Sequence, residues 1–459
     1  MSAKKNEIRR ELIVYSLKKI LLKNTGKEKK FSGFKINSKE IKRGDIFIAL
    51  KGENEDGHSY INEAIKNGAT GIISEKELEK EGLSVFYVKN SILALHAIAK
   101  NWKQQYKNIV TIGITGSVGK TTTKQLTEKV LSSQYNTVAS IKNYNNELGM
   151  PLTILRADNK TEILLLEMGM YKRGDIAQLA EIAKPDHGII TNIETVHLER
   201  AGSINNIFLA KKELIDALPA DGVSILNNDD TKLKKIINAK TRQTISFGTS
   251  NKSDIHAKNI VDNGLKGFEF DLFIQNEFVY RLKIKQPGVH LMPCILASIA
   301  VSNYLKIIPE KIKSTLEDFL LEDRMQIINK KNNLTIIDDT YNSSPSSLIG
   351  ALGLLGKSNN YKIAILGDMK ELGNMTKRNH ITIGKIAVQH ADEIICLGEN
   401  AKDIYISSKK NSNKKVSHFA KSEQLLSYIS KQQYNDSTIL VKGSRALKME
   451  NIVKQINNK

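Results

Sequence analysis

Short apolar runs alternate with longer amphipathic stretches along most of this chain. In the N-terminal part, the runs 45–50 (DIFIAL), 70–74 (TGIIS) and 84–88 (SVFYV) read as buried strands. Each is short, rich in β-branched or aromatic residues and bounded by polar or glycine positions. The stretch 60–68 (YINEAIKNG) has helical spacing and closes on Gly68, a common residue just past a helix C-terminus.

The same alternation resumes with 108–116 (NIVTIGITG), an apolar strand running into a glycine turn, and continues with strands at 162–169, 187–193 and 222–227. Helical stretches such as 175–183 and 210–218 separate them, which implies parallel βαβ units. Between about 243 and 287 the pattern changes to alternating strands, as in GFEFDLFIQ and FVYRLKIK, which fits an antiparallel edge on the main sheet. From Arg324 onward, 334–339, 361–368, 392–398 and 437–443 predict a further parallel sheet with helices between its strands. The pattern thus predicts an α/β chain of three domains. These are a small α/β N-terminal domain over 1–105, a central parallel sheet carrying a phosphate loop over 106–323, and a Rossmann-like doubly wound sheet over 324–459.

The N-terminus is basic but broken by Glu7 and Glu11, and no apolar core with a cleavage site follows. It reads as an amphipathic helix packing Ile8, Leu12, Tyr15 and Lys19 on the first domain. No apolar run is long enough to span a bilayer, so no membrane span and a cytoplasmic location are expected. Cys294 and Cys396 stand far apart, which excludes a disulfide framework or a cysteine zinc site and suits a reducing compartment. The net charge of +20 comes from 69 Lys and Arg against 49 Asp and Glu. The basic residues are dispersed and not interleaved with aromatics, so no nucleic-acid partner is expected, whereas charged small molecules suit the balance.

The sharpest chemical signal is 112–123, IGITGSVGKTTT, where a strand, a glycine turn and a helix start coincide. Backbone N–H groups of Thr115, Gly116, Ser117, Val118 and Gly119 suit a triphosphate, and Lys120 suits its outer phosphates. A hydroxyl of Thr121 or Thr122 suits Mg²⁺. The loop is a variant, because strict spacing places glycine at 114, where this chain has Ile114. Glu167 closes the next strand, where ligands of open α/β sheets sit.

Together, TGSVGKTTT (115–123), NYNNELGMP (143–151), EMGM (167–170), Thr191-Asn192, His197-Leu198-Glu199 and Ala210-Lys211-Lys212-Glu213 resemble the Mur ligase family, which builds the peptide stem of peptidoglycan. Asp338-Asp339-Thr340-Tyr341-Asn342-Ser343-Ser344-Pro345, LGDMKELG (366–373) with His380, and Val441-Lys442-Gly443-Ser444-Arg445 resemble its dipeptide-adding branch. In the first domain, Asn37-Ser38-Lys39, Gly44-Asp45-Ile46-Phe47, Lys51-Gly52 and Asp56-Gly57-His58 resemble that family's uridine-nucleotide domain.

The resemblance implies a monomeric, ATP- and Mg²⁺-dependent amide ligase. It would join D-alanyl-D-alanine to UDP-N-acetylmuramoyl-tripeptide through an acyl phosphate. It implies catalytic roles for Lys120, Glu167, His197, Lys211 and Arg324, with metal contacts from Thr121, Glu167, His197 and a carbamylated Lys211. Asn146, His290, Asp339, Tyr341 and Asn342 would join the loop in holding the nucleotide, and Ser38, Lys39, Lys51, Asn143, Lys442 and Ser444 would hold the other substrates. The LGDMKELG segment is expected either beside the site or in packing and capping.

The chain departs from the family where Leu291 and Cys294 replace two asparagines near the adenine, and Pro293 interrupts the expected helix start. Ser344 stands for a second asparagine, Lys39 for an arginine and Asp323 for a glycine. The alternatives are a sister ligase adding a single amino acid, whose Asp-Asn-Pro-Arg motif is missing here, and a non-ligase P-loop nucleotide-binding module.

Overall fold

The apolar runs become strands and the amphipathic stretches become the helices that cover them. The computed structural model describes residues 7–27, 30–52, 55–195, 198–239, 241–322 and 324–458. Among them, three principal sheets of five, nine and six strands follow one another along the chain. The fold is a three-domain α/β arrangement.

In the first sheet, Phe34–Lys35, Ile46–Ile48, Gly71–Ser74 and Ser84–Val88 run parallel, and Leu21–Asn24 pairs antiparallel at the edge. The N-terminal helix is short, Arg10–Leu17, and buries Ile13, Ser16 and Leu17. This corrects the expected face. Ile8 is buried from a two-residue strand ahead of the helix, Leu12 is partly buried, and Tyr15 is exposed. Only two turns form, so the strand contact at Ile8 sets the helix's rotation.

The middle sheet runs Glu277–Ile284, Phe268–Ile274, Ile255–Asp262, Thr244–Gly248, Val223–Asn227, His187–Ile190, Val110–Thr115, Ile163–Glu167 and Thr137–Ala139 in spatial order. Its first three strands form the antiparallel edge, but Thr244–Gly248, within the stretch expected to be antiparallel, pairs parallel with both neighbours, which corrects the start of that edge to Ile255. After Val110–Thr115 the chain crosses to the Thr137–Ala139 edge, returns through Ile163–Glu167 and then moves to the other flank. Val110–Thr115 is therefore the switch point, and its C-terminal end opens a crevice for a ligand.

The third sheet has Gln326–Asn329 antiparallel at one edge, followed by parallel Thr335–Asp338, Ser437–Lys442, Tyr361–Gly367, Glu393–Leu397 and Lys415–Phe419.

The cores are shared unequally. Helix Ser91–Gln105 buries Leu95, Ile98 and Trp102 in one cluster that runs from the first sheet to Met150, Leu179 and Leu214 of the middle domain. The Trp102 indole N–H also donates to Ala157 O at 2.9 Å. The third domain packs on two clusters largely its own. Contiguous apolar burial ties the first two domains together, while the third meets them through a more polar surface, the usual condition for relative motion.

Candidate active site

Thr115 ends the switch-point strand, and its hydroxyl donates to Met168 O at 2.9 Å. Gly116 follows at φ +154°, where an added Cβ would lie 1.8 Å from Thr191 Oγ1, so no side chain fits. Gly119 adopts the left-handed region at φ +84° and starts helix Lys120–Leu131. Gly113 has a different reason. A Cβ there would meet Leu214 at 2.7 Å, so this glycine admits helix Ile204–Asp216 onto the sheet, and Ile114 is free to be core.

The segment after strand His187–Ile190 leaves the sheet to hold this loop. Asn192 accepts from Ser117 N at 3.0 Å through its carbonyl and from Val118 N at 2.9 Å through Oδ1. The Thr191 hydroxyl donates to Val118 O at 2.6 Å. Ser117 Oγ accepts from Glu194 N at 2.8 Å and donates to Glu194 O at 3.0 Å. Two of the loop amides expected at the phosphates are thus occupied by Asn192.

Lys120 is half-buried and donates to Gly116 O at 2.8 Å and Ser117 O at 3.2 Å. Desolvation lowers its pKa, Glu167 opposes that, and Arg324 adds to it. Thr121 faces Glu167, donating to Oε1 at 3.2 Å, whereas Thr122 is buried in the helix. Asn145, which the sequence reading passes over, donates to the same Oε1 at 2.8 Å. Glu167 Oε2 is buried with no hydrogen-bond partner. A buried carboxylate oxygen without a donor, beside the Thr121 hydroxyl and a phosphate loop, fits a hard divalent cation.

Lys211 is 1% exposed on helix Ile204–Asp216. Burial drives its pKa well below the ordinary lysine value, and Lys120 pushes the same way. His197 lies outside the described residues.

A cavity of about 1170 Å³ opens between the middle and third domains. The loop residues 117–121, Asn143, Asn146 and Glu167 line one side, and Arg324, Tyr341, Asn342 and Ser444 line the other. The Arg324 guanidinium stacks on the Tyr341 ring at 4.3 Å. Lys370 and Glu371 of the LGDMKELG segment also line the cavity. Asp368 turns away to accept from Ala401 N at 2.8 Å, and His380 Nε2 accepts from Met369 N at 3.1 Å. The segment therefore does both expected jobs.

Three expectations need correction. Lys442 is fully buried, bonded to Asp339 and donating to Asn342 O at 3.0 Å, so it supports the cleft wall from behind and is not open to a substrate. Asp339 is 3% exposed and committed to Lys442, with Met325 N donating to it at 3.4 Å, so its carboxylate is not presented to a ribose. Pro293 does not interrupt a helix. It sits in the first turn of Met292–Tyr304, where its missing N–H is harmless.

His290 is exposed and lies against Gly350 of the third domain, where a Cβ would be 2.5 Å from its ring. Leu291 and Cys294 are buried, and an added Cβ on Gly119 would meet Cys294 Sγ at 2.8 Å. Ser38 donates to Glu63 Oε2 at 2.7 Å, Lys39 is exposed, and Lys51 is exposed in a bridge with Asp56. These three first-domain residues stand apart from the cavity lining.

Three family models match in chain order. They are the Mur ligase family catalytic domain over residues 30–112, the Mur ligase middle domain over 114–302, and the Mur ligase glutamate ligase domain over 323–445. The chain belongs to the Mur ligase family. Its relatives include the UDP-N-acetylmuramoyl-tripeptide–D-alanyl-D-alanine ligase of Bacillus subtilis (strain 168), 34% identical over 92% of this chain and 93% of that protein. The enzyme of the same name from Escherichia coli (strain K12) is 30% identical over 92% of each. Among solved structures, MurF from Acinetobacter baumannii superposes with a TM-score of 0.90 at 26% identity over 100% of both chains. The MurF ligase from Thermotoga maritima in complex with ADP gives 0.80 at 29% identity, covering 93% of this chain and 97% of that one.

Proposed function

We propose that this chain uses ATP to join D-alanyl-D-alanine to UDP-N-acetylmuramoyl-tripeptide, giving the pentapeptide precursor of peptidoglycan. The observation that carries the reading is the cluster at the loop mouth, where Glu167, Thr121 and Lys120 face Arg324 across one cavity.

The terminal carboxylate of the tripeptide attacks the γ-phosphorus, the bond to the β-phosphate oxygen breaks, and ADP leaves. The amine of the dipeptide then attacks the acyl phosphate, and inorganic phosphate and a proton depart as the amide forms. The first step brings two anions together, so the site must concentrate positive charge. Lys120 and Arg324 supply it from opposite walls. Bound Mg²⁺ would supply further positive charge; Thr121 and Glu167 are the residues that would hold it, and the family resemblance adds His197 as a further contact.

Lys211 is the residue proposed for carbamylation: burial and the nearby Lys120 favour its uncharged amine, which is the form nucleophilic toward CO₂, and the carbamate would be a metal-binding anion. Solution NMR with ¹³C-bicarbonate should show the carbamate in the wild type and not in Lys211→Met; no such signal, and no response of activity to bicarbonate, would remove that role.

Residues 1–105 would bind the uridine nucleotide through Ser38, Lys39 and Lys51, residues 106–323 would bind ATP, and residues 324–459 would receive the dipeptide. On this reading the protein acts as a monomer. Among the described residues no helix is long and apolar enough to cross a membrane, and the substrates proposed are those of the cytoplasm.

Phosphate release measured with purified protein should require UDP-N-acetylmuramoyl-tripeptide and D-alanyl-D-alanine together. Turnover with a single amino acid in place of the dipeptide would favour a sister ligase, and ATP hydrolysis indifferent to both substrates would favour a nucleotide-gated module.

A further inference from the structure

We infer that Glu194 is a positioning residue that couples the phosphate loop to the docked placement of the third domain, an inference that rests on the ligase reading above. Its backbone N–H and carbonyl both bond the Ser117 hydroxyl, at 2.8 and 3.0 Å. Its side chain points the other way, across the cleft, and accepts a hydrogen bond from Ser346 Oγ in the first turn of helix Pro345–Leu355. One residue thus holds the loop with its main chain and the opposite wall with its carboxylate.

The surroundings make this link matter. The first two domains share a continuous apolar core, so they move together, and the third is the body free to rotate. Ser346 is followed at once by Ser347, which lines the cavity with Asn342 and Ser344. When the third domain swings away, the Glu194 carboxylate loses its partner and the cavity loses that wall. Desolvation raises the pKa of this carboxylate and the Ser346 bond lowers it, as expected for an acid tucked into a domain seam. Ser346 itself is exposed at its helix start, so the bond is not needed to complete that helix, which Ser344 already caps.

The test uses the full chain with ATP, UDP-N-acetylmuramoyl-tripeptide and D-alanyl-D-alanine. Glu194→Ala and Ser346→Ala should each lower kcat about tenfold, the lower end for a hydrogen bond to a charged group. Affinity for ADP alone should change by less than about twofold, because the main-chain bonds to Ser117 survive. The double variant should be no slower than either single one, and Glu194→Gln, whose amide oxygen still accepts from Ser346, should recover most of the rate. Wild-type kcat in Ser346→Ala, additive losses in the double variant, or ADP affinity falling in step with kcat would each overturn the coupling. A wild-type protein that makes no amide bond would instead overturn the ligase reading itself.

Discussion

Lys211 in the middle domain and Lys442 in the third are both among the largest fully buried side chains, yet their surroundings are opposite. Lys442 ends a central strand against Asp339 and the Asn342 carbonyl. Burial lowers its pKa, and Asp339 opposes the shift. Burial likewise pushes the Asp339 carboxyl up, but Lys442 and Arg324 outweigh it and hold that group ionised. Lys211 meets another cation, Lys120, and burial leaves it far more easily deprotonated than an ordinary lysine. A buried amine bonded to a carboxylate is a structural tie. One beside a second cation is biased toward its reactive, uncharged form.

The largest expected effect breaks the symmetry on activity. Lys211→Met should lower ligation by at least about 100-fold, in the range for losing an electrostatic group at the reacting centre. Its unfolding free energy should stay within about 1 kcal/mol of wild type, because an uncharged chain of similar length removes the desolvation of the amine and its repulsion by Lys120. Urea unfolding beside a phosphate-release assay checks both halves. A large stability loss would mean that Lys211 is a hidden ion-pair partner like Lys442.

Lys442→Met should behave in the opposite order. It leaves Asp339 buried without its bonded partner and with only the more distant charge of Arg324 to offset it, so the third domain should lose roughly 3–5 kcal/mol. Denaturant titration read by domain-specific fluorescence would show it, and unchanged stability would remove the contrast.

The pH dependence sharpens the comparison further. Lys211 has a folded pKa below the value of about 10.4 in an unfolded chain. Between those two values the unfolded state binds the extra proton, so stability rises with pH across that window and is lost as pH falls through the folded pKa. The difference in unfolding free energy between wild type and Lys211→Met should therefore shift in favour of wild type on going from neutral pH toward pH 10. A flat difference, measured in CO₂-free buffer, would show that the folded amine keeps its ordinary affinity for protons.

The smallest effect falls on the third-domain wall. Ser444 Oγ is buried without a hydrogen-bond partner, so Ser444→Ala should alter stability by less than about 1 kcal/mol. A several-fold rise in KM for D-alanyl-D-alanine would place that hydroxyl at the amine substrate, and an unchanged KM would remove it from the site.

Much of the architecture was legible in the chain. Runs such as 162–169 and 437–443 could only be buried strands, because they are short, apolar and bounded by turns, and the strands that form are shorter by a few residues at most, Ile163–Glu167 and Ser437–Lys442. The phosphate loop was legible for the same local reason, since the left-handed turn at Gly119 and the tight fit at Gly116 demand glycine where it stands. The rotation of the N-terminal helix was not, because two turns carry too little periodicity to outweigh the contact made by Ile8.

What residue pattern alone determined is what depends on neighbours in sequence: strand, turn, helix start, and the chemistry announced by Lys120 and Glu167. Tertiary structure decided everything that depends on who stands opposite. It paired Lys442 with Asp339, left Lys211 facing a cation, brought Asn145 to Glu167, and set Glu194 between Ser117 and Ser346. The physical reason is that a side chain's charge state and freedom are set by burial and by partners far away along the chain, and neither is written in its own local sequence.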